Sequence, residues 1–342
     1  MKMKPTIKDV AKLANVSIST VSRVMNAPET VVETKKLRVL DAIERLKYKP
    51  NALARGLIYK KTNTLGVVIP DIRNPYYADI IRGMEDASKM LGYNLIICNT
   101  DRDRARLFSY LNNFYEKQVD GILYTSDPVY PDYYKALQRL QMPVVLVSTH
   151  SMEYRLPSVK INDEQAAYDA VKYLIDSGHT SIGMIGFHLS DSIAGLPRYE
   201  GFARALREHD LDDSKDNVVF VNGWSYDTPD AAAQLIARFP SVTAVFTSSD
   251  ELAIGLIAYL HEQGIRVPEQ ISVMGFDNIR WGNLSIPKLT TVAQPTYEIG
   301  FRSVMKLNAI IKEQDDSELR EYLPHTIIER ASAKILKSFS SP

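Results

Sequence analysis

From Thr64 to Glu329 short apolar runs of strand length alternate with longer amphipathic stretches. This alternation constrains the fold more than any other feature of the 342-residue chain. The runs are Leu65–Ile69, Asn94–Cys98, Gly121–Thr125, Val144–Val147, Ser158–Ile161, Ile182–Phe187, Val218–Val221, Ala244–Thr247, Ser272–Phe276 and Thr291–Gln294. Between most of them the apolar period becomes helical, as in Tyr76–Leu91, Glu164–Asp176 and Glu251–Gln263. Strands alternating with helices predict parallel, doubly wound α/β sheets. Ten strands over about 270 residues suit two such sheets better than one.

Ligands of these folds bind beyond the carboxyl ends of the strands, and polar residues gather there. Asn74, Tyr76 and Tyr77 follow the first strand, Asp101 the second and Ser148 the fourth. Arg198 lies in Ala-Gly-Leu-Pro-Arg-Tyr-Glu-Gly, Trp224 in Asn-Gly-Trp-Ser, Ser249-Asp250 closes Phe-Thr-Ser-Ser-Asp, and Asp277 closes Met-Gly-Phe-Asp. Carboxylate and guanidinium groups suit vicinal hydroxyls, and an indole suits an apolar ring face, so the set fits a small sugar. Two of these residues have structural readings as well: Asp250 as a helix cap and Trp224 as core.

The first 62 residues differ from the rest. They hold 14 Lys and Arg against 5 Asp and Glu, whereas the remainder holds 27 against 36. A basic head on an acidic body points to nucleic acid. In the head, Ile7, Val10, Ala11 and Ala14 share one helical face, with Thr6 and Asp9 as a capping pair. Asn15-Val16 breaks the pattern, Ser17 caps a second helix over Ile18–Asn26 with Val21 and Val24 inward, and a third helix spans Val32–Leu46 with Leu37, Leu40, Ile43 and Leu46 inward. The short gap between the first two fits a helix-turn-helix, whose second helix enters the major groove. Ile18 can pack on a thymine methyl, Ser19 can hydrogen-bond a base, and Arg23 can fork onto guanine or a phosphate. Thr20, Ser22 and Asn26 suit phosphate contacts, and Thr6 and Ser17 are further candidates for the DNA-binding surface. The linker Tyr48–Thr64 holds one short helical stretch, Asn51–Ile58, marginal by itself in water. It reads either as an ordinary flexible linker or as a hinge helix that orders on DNA. In the latter case Leu57 is a minor-groove wedge, Ala54 allows close approach, and Asn51 and Arg55 face the backbone or groove.

The run from Thr6 to Asn26 and the segment Tyr48-Lys-Pro-Asn-Ala-Leu-Ala-Arg-Gly-Leu57 resemble the signature of the lactose/galactose repressor (LacI/GalR) family, and the likeness extends to about residue 333. Within it the chain is similar to catabolite control proteins and Gram-positive maltose-type repressors. The resemblance implies an all-α helix-turn-helix head at 1–50, a hinge at 51–63, and a periplasmic-binding-protein-like sensor. The sensor's first lobe would be 64–161 plus 292–322 and its second 162–291 plus 323–333, with a tail at 334–342. It implies chain crossings near 161, 291 and 322, base reading by Ile18, Ser19 and Arg23, intercalation by Leu57, and effector contacts from Arg198, Trp224, Ser249 and Asp277. It also implies a homodimer on a pseudo-palindromic operator. The expected function is a sugar-controlled transcriptional regulator, read as a repressor of a carbohydrate-utilisation operon.

Other classes fit less well. A solute-binding receptor would suit the body but not the basic head, and the N-terminus shows no signal-peptide pattern. Enzyme signatures such as Gly-x-Gly-x-x-Gly, His-Glu-x-x-His and Gly-x-Ser-x-Gly are absent from the sequence, and no cofactor or metal is expected. The single cysteine, Cys98, fits a reducing cytoplasm, and no run approaches the ~18 apolar residues of a membrane span. Catabolite control proteins answer to a serine-phosphorylated phosphocarrier protein through the helix matching Tyr297–Lys312. Here the cationic positions fall on Met305 and Ala309, with Arg302 and Lys306 displaced along the helix, which counts against that partner. The loop Ser192-Ile-Ala-Gly-Leu-Pro-Arg198 resembles maltose-type members. The tail from Ser332 to Pro342 lacks leucine heptads, so a dimer is expected rather than a coiled-coil tetramer.

Overall fold

The computed structural model describes residues 5–48, 61–125, 127–221, 228–314 and 318–336. Contacts divide the chain into two units, Met1–Thr62 and Asn63–Pro342. In the first unit α1 (Ile7–Ala14), α2 (Ile18–Asn26) and α3 (Glu33–Leu46) enclose a core of Val10, Ala11, Ala14, Val21, Val24, Val39 and Ala42. The Thr6 N–H and hydroxyl both donate to Asp9 Oδ2, at 2.8 and 2.7 Å, and fix the start of α1. Asn15 ends the helix in the left-handed region (φ 51°), a conformation asparagine tolerates better than most residues. With so few small side chains at ~1–2 kcal/mol each, the core is thin and the caps weigh heavily.

The buried stripe of α3 is Val39 and Ala42, with Ile43 and Leu46 half-buried beside it. Leu37 and Leu40, expected inward, are 58% and 46% exposed. Spacings of three alone drift round a helix, and the stripe that stays in phase at 3.6 residues per turn is 39, 42, 43 and 46.

Among the described residues the second unit contains two six-stranded sheets. The first is built from β1 (Thr64–Ile69), β2 (Asn94–Asn99), β3 (Gly121–Thr125), β4 (Val144–Val147), β5 (Ser158–Ile161) and β11 (Arg320–Leu323). The second is built from β6 (Ile182–Phe187), β7 (Val218–Val221), β8 (Ala244–Thr247), β9 (Ser272–Asp277), β10 (Thr290–Ala293) and β12 (Thr326–Ile328). The strand orders are β11-β5-β4-β3-β1-β2 and β12-β10-β9-β8-β6-β7, with every pair parallel except β10 with β12. Helices α4 (Tyr76–Leu91), α5 (Arg104–Glu116) and α6 (Pro131–Leu140) connect the first sheet. Helices α7 (Asp163–Asp176), α8 (Gly195–Glu208), α9 (Thr228–Arg238) and α10 (Asp250–Glu262) serve the second, and α11 (Thr296–Ile311) packs on α4.

The inner strands, such as β1, β3, β4, β8 and β9, are buried on both faces, which explains their continuous apolar runs. Phe114, Ile122, Tyr124 and Leu146 fill one outer layer of the first lobe; Leu235, Val245, Leu256 and Val273 fill its counterpart in the second. Glycine lets α11 lie on α4: a Cβ on Gly83 would stand 2.0 Å from the Tyr297 carbonyl oxygen, and one on Gly300 2.0 Å from that of Ile80.

The chain passes between the sheets three times. The first crossing follows β5. The second follows β10 at 294–295 rather than near 291, because Thr290–Ala293 pair with β9 and β12. The third lies at 324–325, after β11 ends at Leu323 pairing with Ile161, rather than near 322.

Candidate functional site

In the head the exposed start of α2 is a hydroxyl cluster. Ser17 Oγ accepts the Thr20 N–H at 3.2 Å and lies 2.8 Å from Ser19 Oγ and 2.9 Å from Thr20 Oγ1. Ser17, Ile18, Ser19 and Arg23 are on the solvent side, while Thr20 and Ser22 are half-buried; Val21 and Val24 anchor the opposite face. Helix N-termini carry unpaired N–H groups and partial positive charge, so this end is suited to phosphate. Asn26 closes the helix. Asn51, Ala54, Arg55, Leu57 and the stretch Asn51–Ile58 lie outside the described residues.

In the body a cleft opens where the carboxyl ends of both sheets meet. It holds about 750 Å³ of empty space, part of it open to solvent, and its lining includes Asn74, Tyr76, Tyr77, Ser148, Arg198, Ser249 and Asp277. Arg198 is its electrostatic centre. Its Nε and one Nη donate to Asp163 Oδ1 at 3.0 and 2.8 Å, the other Nη donates to the Ser248 carbonyl and stands 3.7 Å from Asp277 Oδ1, and the guanidinium lies 3.8 Å from the centroid of Phe276. Burial works against the guanidinium's charge, but the carboxylates beside it prevail and hold it charged. Burial pushes Asp277 up to about 7, against the opposing pull of Arg198 and the hydrogen bond from Gln294.

Gln294 joins the lobes. Its Nε2 donates to Asp277 Oδ1 at 2.8 Å, and its Oε1 accepts from the Tyr76 hydroxyl at 3.1 Å. Tyr76 Oη also lies 2.9 Å from Ser148 Oγ. Desolvation, followed by the nearby Asp277 carboxyl, holds the Tyr76 phenol well above its ordinary value, so it stays a neutral donor. Two residues of this set, Ser148 (φ 54°) and Asp277 (φ 118°), occupy the left-handed side of backbone space without being glycine. Such strain costs about 1–3 kcal/mol per residue and gathers at ligand sites.

Two expected residues are not brought into the lining. Asp101 turns away because its backbone enters the left-handed region (φ 52°); its carboxylate pairs with Arg106 and accepts Asn99 Nδ2 at 2.6 Å. Asp250 is fully buried behind the site, where it accepts the Ile279 N–H at 2.8 Å and the Thr291 hydroxyl at 2.5 Å. The cap of α10 is Ser249, whose Oγ accepts the Leu252 N–H at 3.3 Å. Trp224 lies outside the described residues. The cleft adds Asp71, Arg102, Phe187, Asp191 and Glu251, which sequence reasoning missed. Asp191 follows the end of β6, and the strand-end rule applied there would have found it. Arg102 sits one residue beyond Asp101 at the end of β2. Gln294 and Asp163 flank the interlobe crossings and carry no motif.

On the helix expected to meet a phosphocarrier protein, Arg302 is held by Glu298 and Glu321 at 2.6 and 2.7 Å, and Lys306 is buried with its Nζ donating to the Glu318 carbonyl at 2.6 Å. Among the described residues no helix is long and apolar enough to cross a membrane.

The chain is similar to known proteins along most of its length. Residues 6–51 match the family described as bacterial regulatory proteins, lacI family, and residues 62–331 match periplasmic binding proteins and sugar binding domain of LacI family. Catabolite control protein A of Priestia megaterium is 41% identical over 97% of this chain and 100% of its own length. The HTH-type transcriptional regulator RegA of Clostridium acetobutylicum is 40% identical with the same coverage. The structure of transcription regulator CcpA of Lactococcus lactis superposes with a TM-score of 0.75 at 32% identity, over 79% of this chain and 99% of that one. These relatives are regulators, not enzymes. The chain belongs to the LacI family of DNA-binding transcriptional regulators.

Proposed function

We propose that the cleft binds a small neutral saccharide and that this binding changes the affinity of a homodimer for a pseudo-palindromic operator. The regulated genes would be those of carbohydrate use, and the regulator would act in the cytoplasm as a repressor. The observation that carries the reading is the cage formed by Arg198, Asp277, Tyr76 and Ser148 between two lobes, with Tyr77 and Phe187 offering apolar walls. Paired ionic groups around a rim of hydroxyls suit vicinal hydroxyls of a sugar ring. Two similar structures carry sugars: CelR in complex with cellobiose at 27% identity, and a LacI family regulator from Enterococcus faecium with bound ribose at 29%.

On the DNA side, Ile18, Ser19 and Arg23 read base edges, and Thr6, Ser17, Thr20, Ser22 and Asn26 set register on phosphates. The linker's Asn51, Ala54, Arg55 and Leu57 complete the contact as two hinges order together. For the second copy, the second lobe offers an apolar patch of Trp281, Leu284 and Ile286, the last 92% exposed.

The test is a titration of operator binding, followed by fluorescence anisotropy, with glucose, maltose, cellobiose and ribose. A several-fold shift with one of them supports the reading, and no shift with any of a broad saccharide panel removes it. A catabolite-control role through a phosphocarrier protein has the 41% relative in its favour. The engaged state of Arg302 and the burial of Lys306 favour a dedicated operon regulator instead.

A further inference from the structure

We infer that Lys160 is the positioning residue that ties the effector site of the second lobe to the first lobe, with Asp163 as the shared counter-ion. This rests on the reading of the cleft as the effector site. Lys160 stands on β5 in the first sheet, and Asp163 opens α7 over the second; residues 161–162 between them form the first crossing. The two oxygens of one carboxylate are divided between the lobes. Asp163 Oδ2 faces Lys160 Nζ at 2.9 Å, while Oδ1 accepts both Arg198 bonds. The side chains of Lys160, Asp163 and Arg198 are 4%, 5% and 7% exposed.

Lys160 has no second carboxylate in ion-pair range among the described residues. Its other neighbour is His150 Nδ1 at 3.2 Å. Burial and the adjacent Lys160 charge push His150 down to about 4, so the imidazole is neutral and offers a lone pair, not a counter-charge. Lys160 therefore depends on Asp163 for neutralisation, and Asp163 shares with Asp277 the neutralisation of Arg198.

A buried ion pair spanning two residues of a crossing adds little net stability over an apolar pair of the same volume. What it adds is geometry: Lys160 and its counter-ion stand on either side of the first crossing, so a rotation of the lobes there moves the two charges relative to each other. A ligand that engages Arg198 and Asp277 changes the charge Arg198 demands of Asp163, and thus the hold of Asp163 on Lys160. Differential interaction with two lobe arrangements is what an allosteric ligand requires.

The test compares wild type with Lys160→Met, which keeps an unbranched stem and drops the terminal ammonium, and Lys160→Arg, which restores the charge. Two readouts apply. One is the ratio of operator affinities with and without saccharide, using glucose, maltose, cellobiose and ribose, beside direct saccharide affinity by calorimetry. The other, needing no ligand, is the interlobe distance distribution from spin labels on Met90 of α4 and Glu262 of α10 in the full chain. Lys160→Met is expected to bind saccharide within about threefold of wild type. It should reduce the operator ratio from the usual ~5–150-fold range to below about threefold and broaden the distance distribution, with Lys160→Arg restoring both. A wild-type operator ratio or an unchanged distribution in Lys160→Met overturns the inference. If no saccharide acts on wild type, the effector reading fails by itself, and the ligand-free distances decide the role of Lys160. Should Lys160→Met not fold, Lys160→Gln, which keeps a hydrogen bond and drops the charge, is read by the same outcomes.

Discussion

Replacing Asp277 by Asn should stabilise the protein, and by more as the pH rises. In the folded chain burial lifts this carboxyl from its ordinary value of 3.8 to about 7 despite the nearby Arg198 and the Gln294 amide. The folded value lies above the unfolded one, so the contribution of Asp277 to stability is fully present below about pH 4 and lost as the pH rises through about 7. Holding the group ionised in the fold costs about 4 kcal/mol, and about 3 kcal/mol of that develops between pH 5 and 8. The amide introduced by Asp277→Asn keeps an oxygen for the Gln294 Nε2 bond and carries no charge to desolvate. Thermal unfolding of wild type and Asp277→Asn across that range measures the difference while other titrations cancel. At about 2 °C per kcal/mol for a chain of this size, the gap in Tm should widen by roughly 5 °C from pH 5 to pH 8. A gap that stays constant, or narrows, refutes the assignment of a desolvated carboxyl at this position.

Other consequences follow from the same geometry. Gln294→Leu leaves the Asp277 carboxyl without its amide partner and the Tyr76 hydroxyl with Ser148 alone, and should lower stability by about 1–3 kcal/mol, read by denaturant unfolding. Ser17→Ala removes the cap of α2 and should cost the head about 1 kcal/mol, seen as an earlier loss of helical circular dichroism and weaker operator binding. Asp101→Asn should leave saccharide affinity within about twofold of wild type by calorimetry, since its carboxylate faces Arg106 rather than the cleft.

Much of the fold is readable because its inner strands are buried on both faces. A parallel strand such as Val144–Val147 or Ala244–Thr247 must be apolar throughout, so it stands out against amphipathic neighbours. Arg320–Leu323 escaped notice because Arg-Glu-Tyr-Leu is an edge strand with only Leu323 buried. The inner face of α3 was misread because leucines at intervals of three looked like a stripe, while the residues that pack are the smaller Val39 and Ala42. The strand-end rule found the cage of Tyr76, Ser148, Arg198 and Asp277, since those positions are fixed by topology. It could not separate Asp101 and Asp250 from them. A side chain's direction at a strand end depends on one or two backbone torsions and on which neighbour offers the stronger bond. Lys160 and Asp163 stand three residues apart, but no spacing rule marks an ion pair across a lobe crossing, and the partners of Gln294, Tyr76 and Asp277, lie in separate segments of the chain.

On the proposed function, a saccharide held at Arg198 between the lobes controls operator affinity. Operator affinity of wild type and Arg198→Met, measured across the saccharide panel with and without each sugar, tests this at the residue concerned. One saccharide is expected to shift wild-type affinity by ~5–150-fold, while Arg198→Met binds operator but shifts less than about twofold with the same sugar. A full shift retained by Arg198→Met would contradict the claim.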